Sequence, residues 1–243
     1  MYDLTRFGFN EMMRCRGELR TMFDRSPETL GEAGDRIVHY FHSQFVDDKG
    51  RSAFALARLF KTHPFWDLDD DLQRFARAIA PEADRIPNLR CLVMLATAGD
   101  MPFWNSRHES RGHKAIPLVS EQLVEKAPMI SQLIKQFGVS VSTVLQPDPS
   151  LLLDASQKSD SVFYIPQAAG SPYIVAQEEF VSRYKIASVV GFGGMLTSGD
   201  LFATILFSKI LISPDIADTF KVLGLNLKLA ILPLARKPLF RRT

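Results

Sequence analysis

Two apolar runs, KIASVVGFGGML (Lys185 to Leu196) and LFATILFSKI (Leu201 to Ile210), are separated by almost nothing but TSGD, Thr197 to Asp200. A link that short returns the chain antiparallel, and Gly199 and Asp200 are residues that hairpin turns favour. This hairpin limits the fold more than any other feature. An upstream run, SAFALARLFK, sets Phe54, Leu56 and Phe60 on one side and Ala53, Ala55, Ala57 and Leu59 on the other. It reads as a strand covered on both faces and interrupted by Arg58. LRCLVMLATAG (Leu89 to Gly99) is a further strand, and VFYIP (Val162 to Pro166) a short one. Sheet faces of this composition need helices over both sides.

The helices are legible by period. Residues 9–24 place Phe9, Met12, Met13, Leu19 and Phe23 at helical spacing. A second helix follows Ser26 as N-cap and Pro27 at the first helical position, with Leu30, Ala33, Ile37, Phe41 and Phe45 as its apolar stripe. Leu68 to Ala80 is a short amphipathic helix whose acidic residues stand at the positive end of its dipole. Ser120 to Gly138 is helical and broken or kinked by Pro128. A last helix begins with Ser213 as cap and Pro214 behind it, and buries Ile216, Phe220, Leu223, Leu227 and Ala230 or Ile231. The expected class is α+β: a central antiparallel sheet with helices on both faces and at both ends, not a doubly wound parallel sheet. The 243 residues read as a single domain, with an N-terminal helix in 1–26 and a C-terminal helix and basic tail in 213–243.

Composition removes several functional classes. A net charge of +2 gives no general argument for nucleic acid, and the tail ARKPLFRRT (Ala235 to Thr243) reads as a solvated end or a cut linker. Cys15 and Cys91 form no CxxC and fit a reducing compartment. With no apolar h-region and no membrane-spanning stretch, the expected location is the cytoplasm.

The chemical motifs fail one by one. GFGGML is not GxGxxG, because Leu196 stands where the third glycine belongs and a hairpin follows instead of a helix. HESRGH carries one residue more than HExxH. Histidines five apart on a helix diverge by about 140°, so His108 and His113 would need a loop to meet. SRYK (Ser182 to Lys185) matches SxxK without its companion motifs, and no GxSxG is present. His39 and His42 read as boundary residues of the second helix, and His63 as a turn residue. Glu178 and Glu179 are adjacent and point apart on any regular backbone. What remains is a polar and aromatic set: Trp104, Asn105, Arg107, His108, His113, Tyr164, Tyr173, Gln177 and Glu178. Aromatic walls with a few polar groups suit a site that binds without reacting, although a solvated loop has the same composition.

The stretches WNSRHESRGHKAIPL, PMISQLIKQFG, GSPYIVAQEEFV and VVGFGGMLTSGDLFATILFSK resemble a sensory region found at the front of bacterial signalling proteins, often before histidine kinase modules. The end, GDLFATILFSK and a Pro-capped apolar helix, is similar to the end of GAF domains, relatives of PAS domains. That resemblance implies a small molecule held between sheet and covering loops, and dimerisation through terminal helices. It names no ligand or cofactor. A covalent bilin is not expected, since Cys15 and Cys91 lie in the first helix and second strand instead of a pocket loop. The sequence reading is therefore a non-enzymatic cytoplasmic sensor and homodimer, binding an unknown small molecule or partner and signalling to a histidine kinase or similar output. Its rivals are a small metal-dependent hydrolase using His108, His113 and Glu178, and an interaction module with no pocket.

Overall fold

A computed structural model describes residues 1–148, 162–235 and 237–241. Its centre is a six-stranded sheet: β3 (Phe54–Pro64), β4 (Arg90–Gly99), β5 (Ala115–Pro117), β6 (Val162–Ile165), β7 (Ser188–Met195) and β8 (Leu201–Ser208). The order is β5-β4-β3-β8-β7-β6, and every neighbouring pair is antiparallel. Two short strands, β1 (Tyr2–Asp3) and β2 (Phe45–Val46), pair separately and in parallel. The helices are α1 (Phe9–Thr21), α2 (Leu30–Gln44), α3 (Asp70–Ile79), α4 (Glu121–Glu125), α5 (Pro128–Gln136), α6 (Val141–Leu145) and α7 (Pro214–Ile231). This is the α+β architecture that the hairpin and helical periods demand.

Residues alternate across the sheet as the pleat requires. On one side Val190 and Phe192 of β7 and Phe202 and Leu206 of β8 join α1, α2 and α7 in one apolar cluster. Phe41, Phe192 and Phe220 interlock there, with ring centroids 5.1 Å apart for Phe41–Phe192 and 5.5 Å for Phe192–Phe220. Each such pair adds about 1 kcal/mol to what burial alone supplies. On the other side Leu201, Ala203, Ile205 and Phe207 of β8 meet α4, α5 and α6 in a second cluster. Gly193 allows β7 and β8 to close on each other: a Cβ there would sit 2.1 Å from the Phe202 carbonyl oxygen. Gly224 does the same for α7 over Phe192.

Several expectations are corrected. Helix α1 ends at Thr21, and Phe9 and Met13 are exposed, so its buried face is Met12, Cys15 and Leu19. The N-cap of α2 is Thr29, whose hydroxyl accepts from the Glu32 N–H at 3.1 Å. Ser26 and Pro27 lie before the helix. Phe54 and Ala55 occupy the faces opposite to those expected, because a register shift between β3 and β8 falls at Phe54/Leu56. His63 belongs to β3, paired with Cys91, and not to a turn. Pro128 does divide its segment into two helices, with Gly138 at a φ of +70° ending the second. The tail is not merely a solvated end. The carbonyls of Pro238 and Leu239 accept the free N–H groups of Leu30 and Gly31 at 3.0 and 2.8 Å, and Leu239 is buried. Lys237 reaches Ser26 Oγ at 2.9 Å.

Candidate functional site

The second apolar layer does not close on the sheet. Between them lies a cavity of about 600 Å³, within the range of small-molecule sites. Its floor is the sheet: Leu56, Arg58, Phe60 and Thr62 of β3, Leu92 of β4, and Leu201, Ala203, Ile205 and Phe207 of β8. Met129, Ile130, Leu133 and Ile134 of α5 with Val144 of α6 form the roof. Trp104, Tyr173, Ile174 and Phe180 build a wall, where Trp104 meets Tyr184 edge-on at 4.5 Å and Phe180 at 5.9 Å. The lining residues exposed to solvent, Ile79, Gly112, His113, Val175 and Ala176, mark the mouth.

Arg58 is the unusual member of this lining. It stands mid-sheet, paired with Thr97 of β4 and Ile205 of β8. Among the described residues no carboxylate neutralises it. Its Nε is sealed from solvent with no hydrogen-bond partner. Burial alone pulls its pKa down to about 10. Thr97 shares this sheet face as the cross-strand partner, and its hydroxyl is also buried without a partner. One contact comes from Nη1 of Arg58, which donates to Nδ1 of His113 at 3.4 Å. An imidazole nitrogen that accepts from a guanidinium is unprotonated, so His113 is neutral and carries its proton on Nε2. Enclosure by protein and the Arg58 charge push the His113 pKa down to about 4, even though the ring is open to solvent through the mouth.

The nine residues expected to form a site do not assemble. Trp104, His113 and Tyr173 line the cavity. Asn105 instead clasps its own loop, accepting from the Gly99 N–H at 2.9 Å and donating to the Gly99 and Met101 carbonyls. Arg107 lies over the Phe240 ring at 3.4 Å. With His108 it borders a separate recess that holds Asp69, Asp71 and Lys114. Tyr164 packs with the helical cluster on the opposite face and donates to the Ile212 carbonyl. Gln177 is consumed by the 168–177 loop: its Oε1 accepts from Gly170 N–H at 2.8 Å and its amide donates to the carbonyls of Ala168, Ser171 and Ile174. Glu178 is exposed on a π-helical turn, Gln177–Ser182. Among the described residues no three His, Cys, Asp or Glu side chains gather as metal ligands, so His108, His113 and Glu178 do not form a metal centre. Both cysteines are buried in the helical cluster away from the cavity, and burial pushes each thiol up to about 12.

A second charged cluster was also missed. Asp200 pairs with Lys61 at 2.7 Å and with Arg90, and accepts from Ser198 Oγ at 2.9 Å. Burial raises its pKa, but the charge and hydrogen bond of Lys61 and the charge of Arg90 outweigh that and hold it below the ordinary range. Thr62 Oγ1 accepts from Arg90 at 3.2 Å and from the Leu201 N–H at 2.9 Å, which ties the cluster to the end of the sheet. Only the alternation LARLFK, with cations at Arg58 and Lys61 inside an apolar strand, could have pointed to either group.

Comparison with known proteins adds little to this geometry. No family model matches the chain, and no curated protein matches it. Among solved structures, the crystal structure of the phycocyanobilin-bound GAF domain from a cyanobacterial phytochrome aligns over 92% of this chain and 94% of that chain, at 10% identity and a TM-score of 0.44. The sheet order and the cavity are therefore the ground on which any functional reading stands.

Proposed function

We propose that this chain is a non-catalytic sensing domain that encloses a small molecule between its sheet and the α4–α6 cover. The observation that carries this is a cavity of about 600 Å³, apolar on nearly every side, with one cation set in its floor that no carboxylate among the described residues neutralises. Folding tolerates a void and an uncompensated charge at some cost, and a ligand that fills the first and pairs with the second repays it. In this reading the protein works in the cytoplasm as a homodimer through α1 and α7, and its output is a separate signalling partner of the histidine kinase kind.

Two routes connect the cavity with those helices. One crosses the sheet, since Ala203, Ile205 and Phe207 face the cavity while their neighbours Phe202 and Leu206 pack in the helical cluster. The other runs along residues 101–118: Trp104 and His113 touch the cavity, while Arg107 lies on Phe240 beyond α7. Occupancy then shifts the population between two packings of the terminal helices.

The neutral dye N-phenyl-1-naphthylamine tests the cavity. It should bind the wild type, and Ala203→Phe, which places a ring on the cavity floor, should weaken binding at least 10-fold while leaving the circular-dichroism spectrum unchanged. No dye binding, or binding indifferent to that ring, overturns the reading.

A further inference from the structure

We infer that the ligand of this cavity is an apolar monocarboxylic acid whose carboxylate pairs with Arg58. This deepens the proposed function and rests on the cavity being a ligand site.

The argument begins with unmatched donors. Arg58 brings five N–H groups and a charge that it does not lose at physiological pH. Among the described residues its Nε has no partner, Thr97 Oγ1 beside it has none, and its one side-chain contact is a neutral imidazole. Buried charges are otherwise paired, and two other internal cations obey that rule: Lys61 and Arg90 share Asp200. An incoming anion would supply what the protein withholds. The charge of that anion follows from the lining, in which Arg58 is, among the described residues, the one permanently charged side chain and His113 is neutral. A phosphomonoester or a dicarboxylate would leave a second negative charge facing Phe60, Leu92, Leu133 and Ile205. A single carboxylate matches both the charge and the planar fork of a guanidinium. The remaining lining is hydrocarbon and aromatic, so the body of the molecule is apolar. Nε2–H of His113 is available to a carboxylate oxygen at the mouth.

The experiment uses Trp66→Phe protein, in which Trp104 of the cavity wall is the sole indole; Trp66 itself is exposed. Dodecanoate and dodecan-1-ol, both below their aggregation limits at pH 7.5, compete with bound N-phenyl-1-naphthylamine, and Trp104 emission is followed in parallel. Dodecanoate should displace the dye at a concentration at least 10-fold lower than the alcohol. Arg58→Met should erase that preference while keeping dye and alcohol binding, and Arg58→Lys should restore part of it. An alcohol as effective as the acid, a dye that dodecanoate fails to displace, or an acid preference that survives Arg58→Met overturns the inference and leaves the cavity reading standing. Failure of the dye to bind at all overturns the cavity reading itself.

Discussion

Arg58 and Asp200 show opposite treatments of a buried charge. Arg58 has no counter-ion among the described residues, so the folded state carries an uncompensated cost that Arg58→Met removes while keeping most of the side chain's volume. Without ligand, that variant should be more stable than the wild type by about 1–3 kcal/mol, read as a higher urea midpoint. A loss of stability would mean that Arg58 is structural. Asp200 sits between Lys61 and Arg90, and Asp200→Asn strands both cations, so stability should fall by about 3–5 kcal/mol. The same group sets a pH dependence. Its pKa is lower folded than unfolded, so its stabilisation is complete above the unfolded carboxyl value of about 4 and is lost as pH falls through the folded value. Wild-type protein should lose melting temperature below about pH 4 more steeply than Asp200→Asn. At this scale the sequence misleads for a definite reason. The polar residues at 101–118 and 173–178 look like a site because they are polar, yet Asn105 and Gln177 use their amides to hold their own loops. Arg58 looks like a flaw in a strand, because alternation reports which face a residue takes and says nothing of whether its charge has a partner.

Elements were far more legible, and their errors lie at ends. The hairpin, the split at Pro128 and the start of α7 at Ser213 follow from turn and cap chemistry that acts within a few residues. The start of α2 did not, since SPETL offers two capping residues and period alone cannot choose between them. Tertiary structure chooses: Pro238 and Leu239 bring their carbonyls to Leu30 and Gly31, which leaves Thr29 to accept from Glu32. Thr29→Ala should therefore cost about 1 kcal/mol, whereas Ser26→Ala, which loses only an exposed contact with Lys237, should stay within about 0.5 kcal/mol. Equal effects from the two, in chemical denaturation, would contradict this assignment. The strands and helix missed outright, two-residue β1 and β2, three-residue β5 and five-residue α6, are shorter than the period needed to reveal them.

For the whole molecule, the face that the helices turn away from the sheet decides how a filled cavity could be felt elsewhere. Helix α7 buries Phe220, Leu223, Leu227 and Ile231, yet Leu225 and Leu229 on its outer side, and Leu232 at its C-cap, recur at spacings of four and three and are exposed. Helix α1 likewise leaves Phe9 and Met13 exposed. A helix apolar on two sides is suited to burial on two sides, and a second copy of the chain would bury the outer stripe by two-fold symmetry. Leu225→Glu with Leu229→Glu places charge at that seam without touching the core, since neither side chain contributes to the buried cluster. Light scattering should show a dimer for the wild type and a monomer for the double variant, with melting temperatures at high dilution within about 3 °C of each other. The monomer should still bind the dye, because the cavity lies across the sheet from α7. If occupancy biases the terminal helices, wild-type dimerisation should also shift when dodecanoate is bound, since linkage makes the influence of ligand on dimer and of dimer on ligand equal. A wild-type monomer at every concentration would remove α1 and α7 as a seam, and a dimer indifferent to bound ligand would remove them as the route of the signal.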